Sequence, residues 1–276
     1  MRPRNAAIMS YAMTAATPIG VFDSGVGGLS ILSGIHQLLP AENLLYVADS
    51  AHAPYGPKGD AFILERCESI MRFFLQQQVK AVVVACNTAT AAAVARLREQ
   101  YSLPIIGVEP AVKPAAALSR SAVVGVLATS GTIASDKFLT LQSRFNDKVE
   151  IRTRACPGLV ELIEAGGNDE AALVALLQEF IRPLLDTGAD TLVLGCTHYS
   201  LIRGLIQQVA GETISIVDAE IAVARELQRR LAALGLQQQS AIVGQVRFYS
   251  SGDPAAQRNL LARYWGRAVE VTAFPD

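Results

Sequence analysis

The chain has 276 residues, 51% of them apolar and 18% charged, with a net charge of −1. That length buries a large core, as one big domain or two of ordinary size. The near-neutral balance, without a long basic or acidic run, leaves no electrostatic footprint for nucleic acid or an anionic membrane surface. No uninterrupted apolar run reaches the length of a membrane span. The cysteines Cys67, Cys86, Cys156 and Cys196 are widely spaced, with no C-x-x-C pair. In a chain of this size that pattern reads as reduced thiols in a cytoplasm rather than a disulfide framework.

Met1 to Thr17 carries Arg2 and Arg4, no acidic residue and several alanines. Its apolar centre is too weak for a signal peptide, so it is expected to be a flexible N-terminal extension. Ile19 to Phe22 is a strand, Asp23-Ser24-Gly25-Val26-Gly27-Gly28 a glycine-rich turn, and a helix follows to about Leu39. Leu44 to Ala48 is the second strand. The loop from Ala51 to Gly59 is rich in turn formers, and its tyrosine, Tyr55, is expected to be exposed. Asp60 to Gln77 is helical, with Cys67 on its apolar face. Ala81 to Ala85 is a buried strand that ends in Cys86-Asn87-Thr88, with a helix through Ala91 to Glu99. Leu103 to Val108 is a strand and Ala111 to Leu118 a helix.

The second half repeats this alternation. Strands are expected at Ala122 to Ala128, Val149 to Ala155, Thr191 to Leu194 and Ile214 to Val217. Helices are expected at Ala134 to Phe145, around Ile163 and Glu164, at Asp169 to Leu185 and near Leu201 to Val209. Ala219 to Leu234 is helical, Leu236 to Ser240 a loop, and a strand, a helix near Ala255 to Arg263 and a strand complete the chain. Alternation of this kind predicts an α/β fold with mainly parallel sheets and helices on both faces.

In open α/β sheets, ligands bind outside the carboxyl ends of the strands. Cys86 and Cys196 both stand there, each at a helix start that would lower a thiol pKa and bind a carboxylate. Asn87, Thr88, Thr197 and His198 extend the donor set. The commonest fate of a single cysteine is core packing, which fits Cys67. Two strand-terminal cysteines with the same following chemistry are harder to explain that way. The glycine turn nearly matches a dinucleotide fingerprint, with Asp49 downstream. Ser30 stands in the third glycine position, however, and Asp23 would repel a pyrophosphate. The ordinary alternative for that turn is a need for positive φ. Cys86, Cys156, Cys196 and His198 form a conceivable zinc set, but only Cys196 and His198 are close in sequence. A cysteine hydrolase would use one thiol and leave the other idle. None of the lysines follows a strand as a pyridoxal Schiff base would require.

A thiolate and a thiol on opposite faces of a carbon acid can invert it without a cofactor. One removes the α-proton and the other supplies a proton to the far face. Asp23, Glu164 and His198 are candidates to poise them.

The motifs Gly20-Val21-Phe22-Asp23-Ser24-Gly25-Val26-Gly27-Gly28-Leu29, Pro54-Tyr55-Gly56, Ala85-Cys86-Asn87-Thr88-Ala89, Gly107-Val108-Glu109-Pro110, Ala128-Thr129 with Thr132-Ile133, and Gly195-Cys196-Thr197-His198-Tyr199 together resemble the glutamate racemases. They stand in that family's order from about Pro18 to Asp218, with weaker similarity beyond. The resemblance implies two similar three-layer α/β domains with the active site in the cleft between them. The first would comprise residues 18–109 plus 219–276, the second 110–218, with 1–17 an extension. It implies cofactor-independent interconversion of L- and D-glutamate, supplying peptidoglycan, in a cytoplasmic enzyme that could form a homodimer. It assigns Cys86 and Cys196 as the two acid/bases, Asp23 and Glu164 as assisting near the first and His198 near the second. It assigns substrate contacts to Asp23, Ser24, Tyr55, Gly56, Asn87, Thr88, Thr129, Thr132, Thr197 and His198, and neither a metal nor a cofactor. Ser200 departs from the family's usual proline, and Ser50-Ala51-His52 varies a Thr-Ala-Arg pattern. An aspartate racemase, sharing the cysteine pair, remains as the nearest alternative, with a Rossmann-type nucleotide-binding oxidoreductase and a two-lobed small-molecule binding module behind it.

Overall fold

The computed structural model describes residues 13–275. In chain order the elements are β1 (Ile19–Asp23), α1 (Leu29–Leu38), β2 (Leu44–Ala48), α2 (Asp60–Gln76), β3 (Ala81–Val84), α3 (Asn87–Gln100), β4 (Ile105–Gly107) and α4 (Val112–Leu118). Then come β5 (Val123–Ala128), α5 (Ser130–Ala134), α6 (Asp136–Ser143), β6 (Glu150–Ala155), α7 (Leu159–Glu164), α8 (Glu170–Asp186), β7 (Thr191–Leu194), α9 (Thr197–Leu201), α10 (Arg203–Ala210) and β8 (Ser215–Val217). The chain ends with α11 (Glu220–Ala233), β9 (Val246–Ser250), α12 (Pro254–Trp265) and β10 (Val271–Ala273).

Among the described residues the strands form two sheets, one of six strands in the order β10-β9-β2-β1-β3-β4 and one of four in the order β6-β5-β7-β8. Every pairing in them is parallel. Alternation along each strand divides its residues between two cores. In the first sheet Val21, Tyr46 and Val83 face the helices α1, α11 and α12, while Phe22, Leu45, Val82 and Val84 face α2 and α3. In the second, Leu127, Leu192 and Leu194 pack on α7 to α10, and Val124, Val126 and Val193 on α4 and α6. With both faces covered, the strands are near-continuous apolar runs, as parallel strands must be. The expected α/β class is therefore the observed one. No helix among the described residues is long and apolar enough to cross a membrane.

We divide the chain, as a proposal, into residues 18–109 with 219–276 and residues 110–218. Sheet membership and the docking of α11 on α1 support that division. Of the expected extension, residues 1–12 lie outside the described residues. Residues beyond them turn at Thr14 to Thr17 and place the Ala15 carbonyl 2.5 Å from Lys80 Nζ. Two expected helices differ. The one expected over 134–145 is broken at Ser135, whose hydroxyl accepts from Phe138 N and starts α6 afresh. The one expected near Leu201 begins earlier, at Thr197, and breaks at Ile202.

Candidate active site

Register brings the functional residues to the strand ends. Phe22 pairs with Val84, so Asp23 and Ser24 leave β1 beside Ala85 and Cys86 leaving β3. Leu127 pairs with Leu194, which sets Thr129 beside Cys196. Gly195 is required by this closeness, since a Cβ there would stand 2.9 Å from Ala128 Cβ and 3.0 Å from Leu127 O. Cys86 caps α3, its Sγ accepting from Ala89 N at 3.4 Å and lying 3.8 Å from Ser24 Oγ. Cys196 caps α9, its Sγ 3.8 Å from His198 Nδ1. Each cysteine is 6% exposed, which leaves a thin opening for a ligand.

The helix cap was expected to lower the pKa of Cys86, and here the structure corrects the sequence. Burial raises it well above the ordinary thiol range, and the charges of Asp23 and Cys196 add to that, against the smaller effects of the Ala89 N–H and Ser24.

Around Cys196 stands a chain of charged groups. His198 Nε2 lies 2.6 Å from Glu164 Oε1, and His198 Nδ1 3.9 Å from Asp23 Oδ2. Burial opposes protonation of His198, but Cys196, Glu164 and Asp23 together hold its pKa well above the usual imidazole range. These neighbours favour a protonated ring, with Nε2 against Glu164 and Nδ1 toward the Cys196 sulfur. Burial raises the Asp23 carboxyl, and His198 and the Gly25 N–H only partly offset this. Thr197 Oγ1 donates to Asp23 Oδ1 at 3.3 Å. Glu164, expected beside the first thiol, has its direct side-chain partner in His198, next to the second.

The glycines of the turn do not serve the ordinary alternative, a positive φ. Gly25, Gly27 and Gly28 are not among the positive-φ residues. They are sockets. A Cβ on Gly25 would lie 1.8 Å from Glu164 Oε1, and one on Gly27 would lie 2.3 Å from His198 Nδ1. Val26 N donates to Glu164 Oε1 at 2.7 Å, and Gly27 N approaches His198 Nε2 at 3.3 Å. Tyr46 supports the turn from the sheet, its hydroxyl donating to Gly25 O at 2.7 Å.

Across the cleft, Thr88 Oγ1 is 2.9 Å from Thr129 Oγ1 and 3.3 Å from Thr132 Oγ1. Gly56 abuts Thr129, and a Cβ on Gly131 would meet Gly56 O at 2.8 Å. Asn87 Oδ1 is buried with no hydrogen-bond partner, an acceptor with capacity left for a ligand. Tyr55 corrects the expectation of exposure, since it is 1% exposed. Its hydroxyl donates to Asp49 Oδ2 at 2.6 Å, so backbone rather than phenol is presented toward Thr129. Asp49 also accepts from Arg66 Nε and Nη2 at 3.0 Å and meets His52 Nδ1 at 2.9 Å. Reading the sequence missed Asp49, Arg66 and Tyr46 as supports. The signal available was Asp49 at a strand end one loop before Tyr55.

Cys156 shares a core cluster with Leu159 and Cys196, and burial pushes its thiol up to about 12. Cys67 is buried in the first half's core. Among the described residues no three His, Cys, Asp or Glu side chains are gathered as a metal ion needs. Two thiols, carboxylates and an imidazole thus stand near the strand ends, chemistry suited to proton transfer on a small zwitterion.

The Asp/Glu/Hydantoin racemase family matches residues 19–227. A glutamate racemase of Pseudomonas putida is 53% identical over 260 residues, which cover 94% of this chain and 98% of that protein. A glutamate racemase isoform from Bacillus anthracis superposes with a TM-score of 0.86 at 32% identity, covering 94% of this chain and 97% of that one. The Escherichia coli glutamate racemase, solved in complex with L-glutamate and the activator UDP-MurNAc-ala, gives 0.80 at 34% identity, covering 93% and 97%.

Proposed function

This chain belongs to the Asp/Glu/hydantoin racemase family, and we propose that it interconverts L- and D-glutamate by two-base proton transfer between Cys86 and Cys196. What supports the reading is that two strand-end thiols leave separate sheets whose neighbouring residues meet, Thr88 with Thr129 at 2.9 Å and Asp23 with Thr197 at 3.3 Å. The thiolate of Cys196 takes the α-proton of L-glutamate, and the thiol of Cys86 gives its proton to the opposite face. The enzyme is left with the protons exchanged, and the D enantiomer meets the reverse assignment. An α-proton is weakly acidic, so charge growing on the α-carboxylate must be stabilised. The N-terminal N–H groups of α3, with Asn87, are suited to that. The His198 imidazolium stabilises the Cys196 thiolate, and Glu164 keeps the ring charged and oriented. Asp23 and Ser24 face the α-ammonium group. Thr88, Thr129, Thr132 and the Tyr55–Gly56 backbone face the side-chain carboxylate and favour glutamate over aspartate.

The chemistry fits a cytoplasmic enzyme supplying D-glutamate to peptidoglycan, acting without a cofactor and forming a homodimer. The test is incubation with L-glutamate in deuterated water without additives, following circular dichroism and α-deuterium together. Loss of optical activity with one deuterium per inversion is expected, and aspartate should turn over far more slowly. Racemisation without label uptake, or a faster reaction with aspartate, would overturn the reading.

A further inference from the structure

With residues 18–109 plus 219–276 taken as the first half of the molecule and 110–218 as the second, Glu164 and His198 belong to the second, yet the residues that fix Glu164 come from the first. In front of it is the glycine turn, with Val26 N on its carboxylate and room at Gly25 only for hydrogen. Behind it is α12. Tyr264 Oη donates to Ile163 O, the carbonyl just before Glu164, at 3.4 Å. The Tyr264 ring packs against core residues of both halves. The adjoining Arg263 donates from Nη1 to Asn168 Oδ1. Gly167, at φ +60, passes so close that a Cβ there would stand 2.9 Å from Tyr264 Oη. The helix between these two supports, α7, has six residues. A helix that short has no stability of its own, and its direction is set by what it is docked against.

We infer that Tyr264 is a positioning residue for the Glu164–His198 pair, holding α7 from behind while the glycine turn holds it from the front. The first half thereby reaches Cys196 through Tyr264, α7, Glu164 and His198 in turn. Slackening the rear support lets Glu164 drift from His198, weakens the imidazolium and handicaps proton transfer at Cys196, while transfer at Cys86 is untouched. This inference rests on the reading of Cys196 as the base toward L-glutamate.

The experiment compares Tyr264→Phe, Gly25→Ala and Cys196→Ser with the unaltered enzyme, using α-deuterated L-glutamate and α-deuterated D-glutamate. An enantiomer pair has an equilibrium constant of unity, so kcat/KM must fall equally in both directions. The isotope effects need not. Tyr264→Phe should lower kcat/KM about threefold to tenfold, the range for one neutral hydrogen bond. It should raise the isotope effect from the L substrate and bring that from the D substrate toward one. Gly25→Ala, pressing on Glu164 from the other side, should move both in the same sense by more. Near-native melting of Tyr264→Phe shows that packing is kept. Isotope effects that stay fixed, or change alike for both enantiomers, would overturn the inference. Absence of the asymmetry in Cys196→Ser itself would instead mark failure of the two-base reading, and the inference would fall with it.

Discussion

Asp49→Asn is the sharpest probe of how the substrate loop is held. The carboxylate is fully buried and takes hydrogen bonds from both Arg66 Nε and Nη2, from Tyr55 Oη and from His52. An amide keeps one acceptor but turns an N–H toward a donor. It also removes the charge opposite Arg66, whose side chain is 11% exposed. Breaking one partner of a buried pair costs about 3–5 kcal/mol. The Tyr55 bond adds to that less than its separate worth, because neighbours in one network are not additive. Burial alone would raise the Asp49 carboxyl, but Arg66, Tyr55, Ser251 and His52 hold it below the usual range. With the folded pKa depressed, the stability it contributes is present above about pH 3.9 and is lost as pH falls through the folded value. Urea unfolding at neutral pH should therefore show a loss of about 3–5 kcal/mol with an unchanged slope, shrinking in strong acid. The glutamate KM should rise, because Tyr55–Gly56 loses its mount. A loss under about 1 kcal/mol at neutral pH, or a gap that persists in acid, would refute the reasoning.

Gly27→Ala should cut kcat by at least about a hundredfold, because the new methyl displaces the His198 ring by an ångström or more. Steady-state kinetics beside a thermal melt would check it, and near-normal activity would contradict the socket. Glu164→Gln should move the alkaline limb of kcat/KM to lower pH, since Glu164 is one of the groups that keep His198 protonated; a pH–rate profile reads this directly. Lys80→Met should cost about 3–5 kcal/mol in urea unfolding, as Lys80 and Glu42 are a fully buried pair 2.5 Å apart. Cys156→Ala should leave racemisation within about twofold, because a buried thiol that stays protonated is inert.

Much of this molecule could be read from its residues. The β-branched runs before Cys86 and Cys196 announced buried parallel strands, and each thiol stands just past its strand, at the start of a helix. What could not be read was set by contacts between distant segments. The glycines of the turn looked like residues serving a backbone conformation. They instead make room for Glu164 and His198, which lie 138 and 171 positions away from the turn residues they meet, Val26 and Gly27. Tyr55 stands in a loop rich in turn formers and looked exposed, but Asp49 and Arg66 draw it inward. Local chemistry at Cys86 argued for a lowered pKa, and burial beside Asp23 outweighs one N–H donor. The break at Ser135 was legible in principle, since serine is a favoured N-cap, but helical periodicity continues through it.

The central claim is that two sulfurs flank one stereocentre. A crystal structure of this chain with D-glutamate bound tests it most directly. The account predicts Cys86 Sγ and Cys196 Sγ on opposite faces of the α-carbon, each about 3–4 Å from it, as near-attack geometry demands. Both sulfurs on one face, or either one shut in a pocket apart from the amino acid, would contradict it.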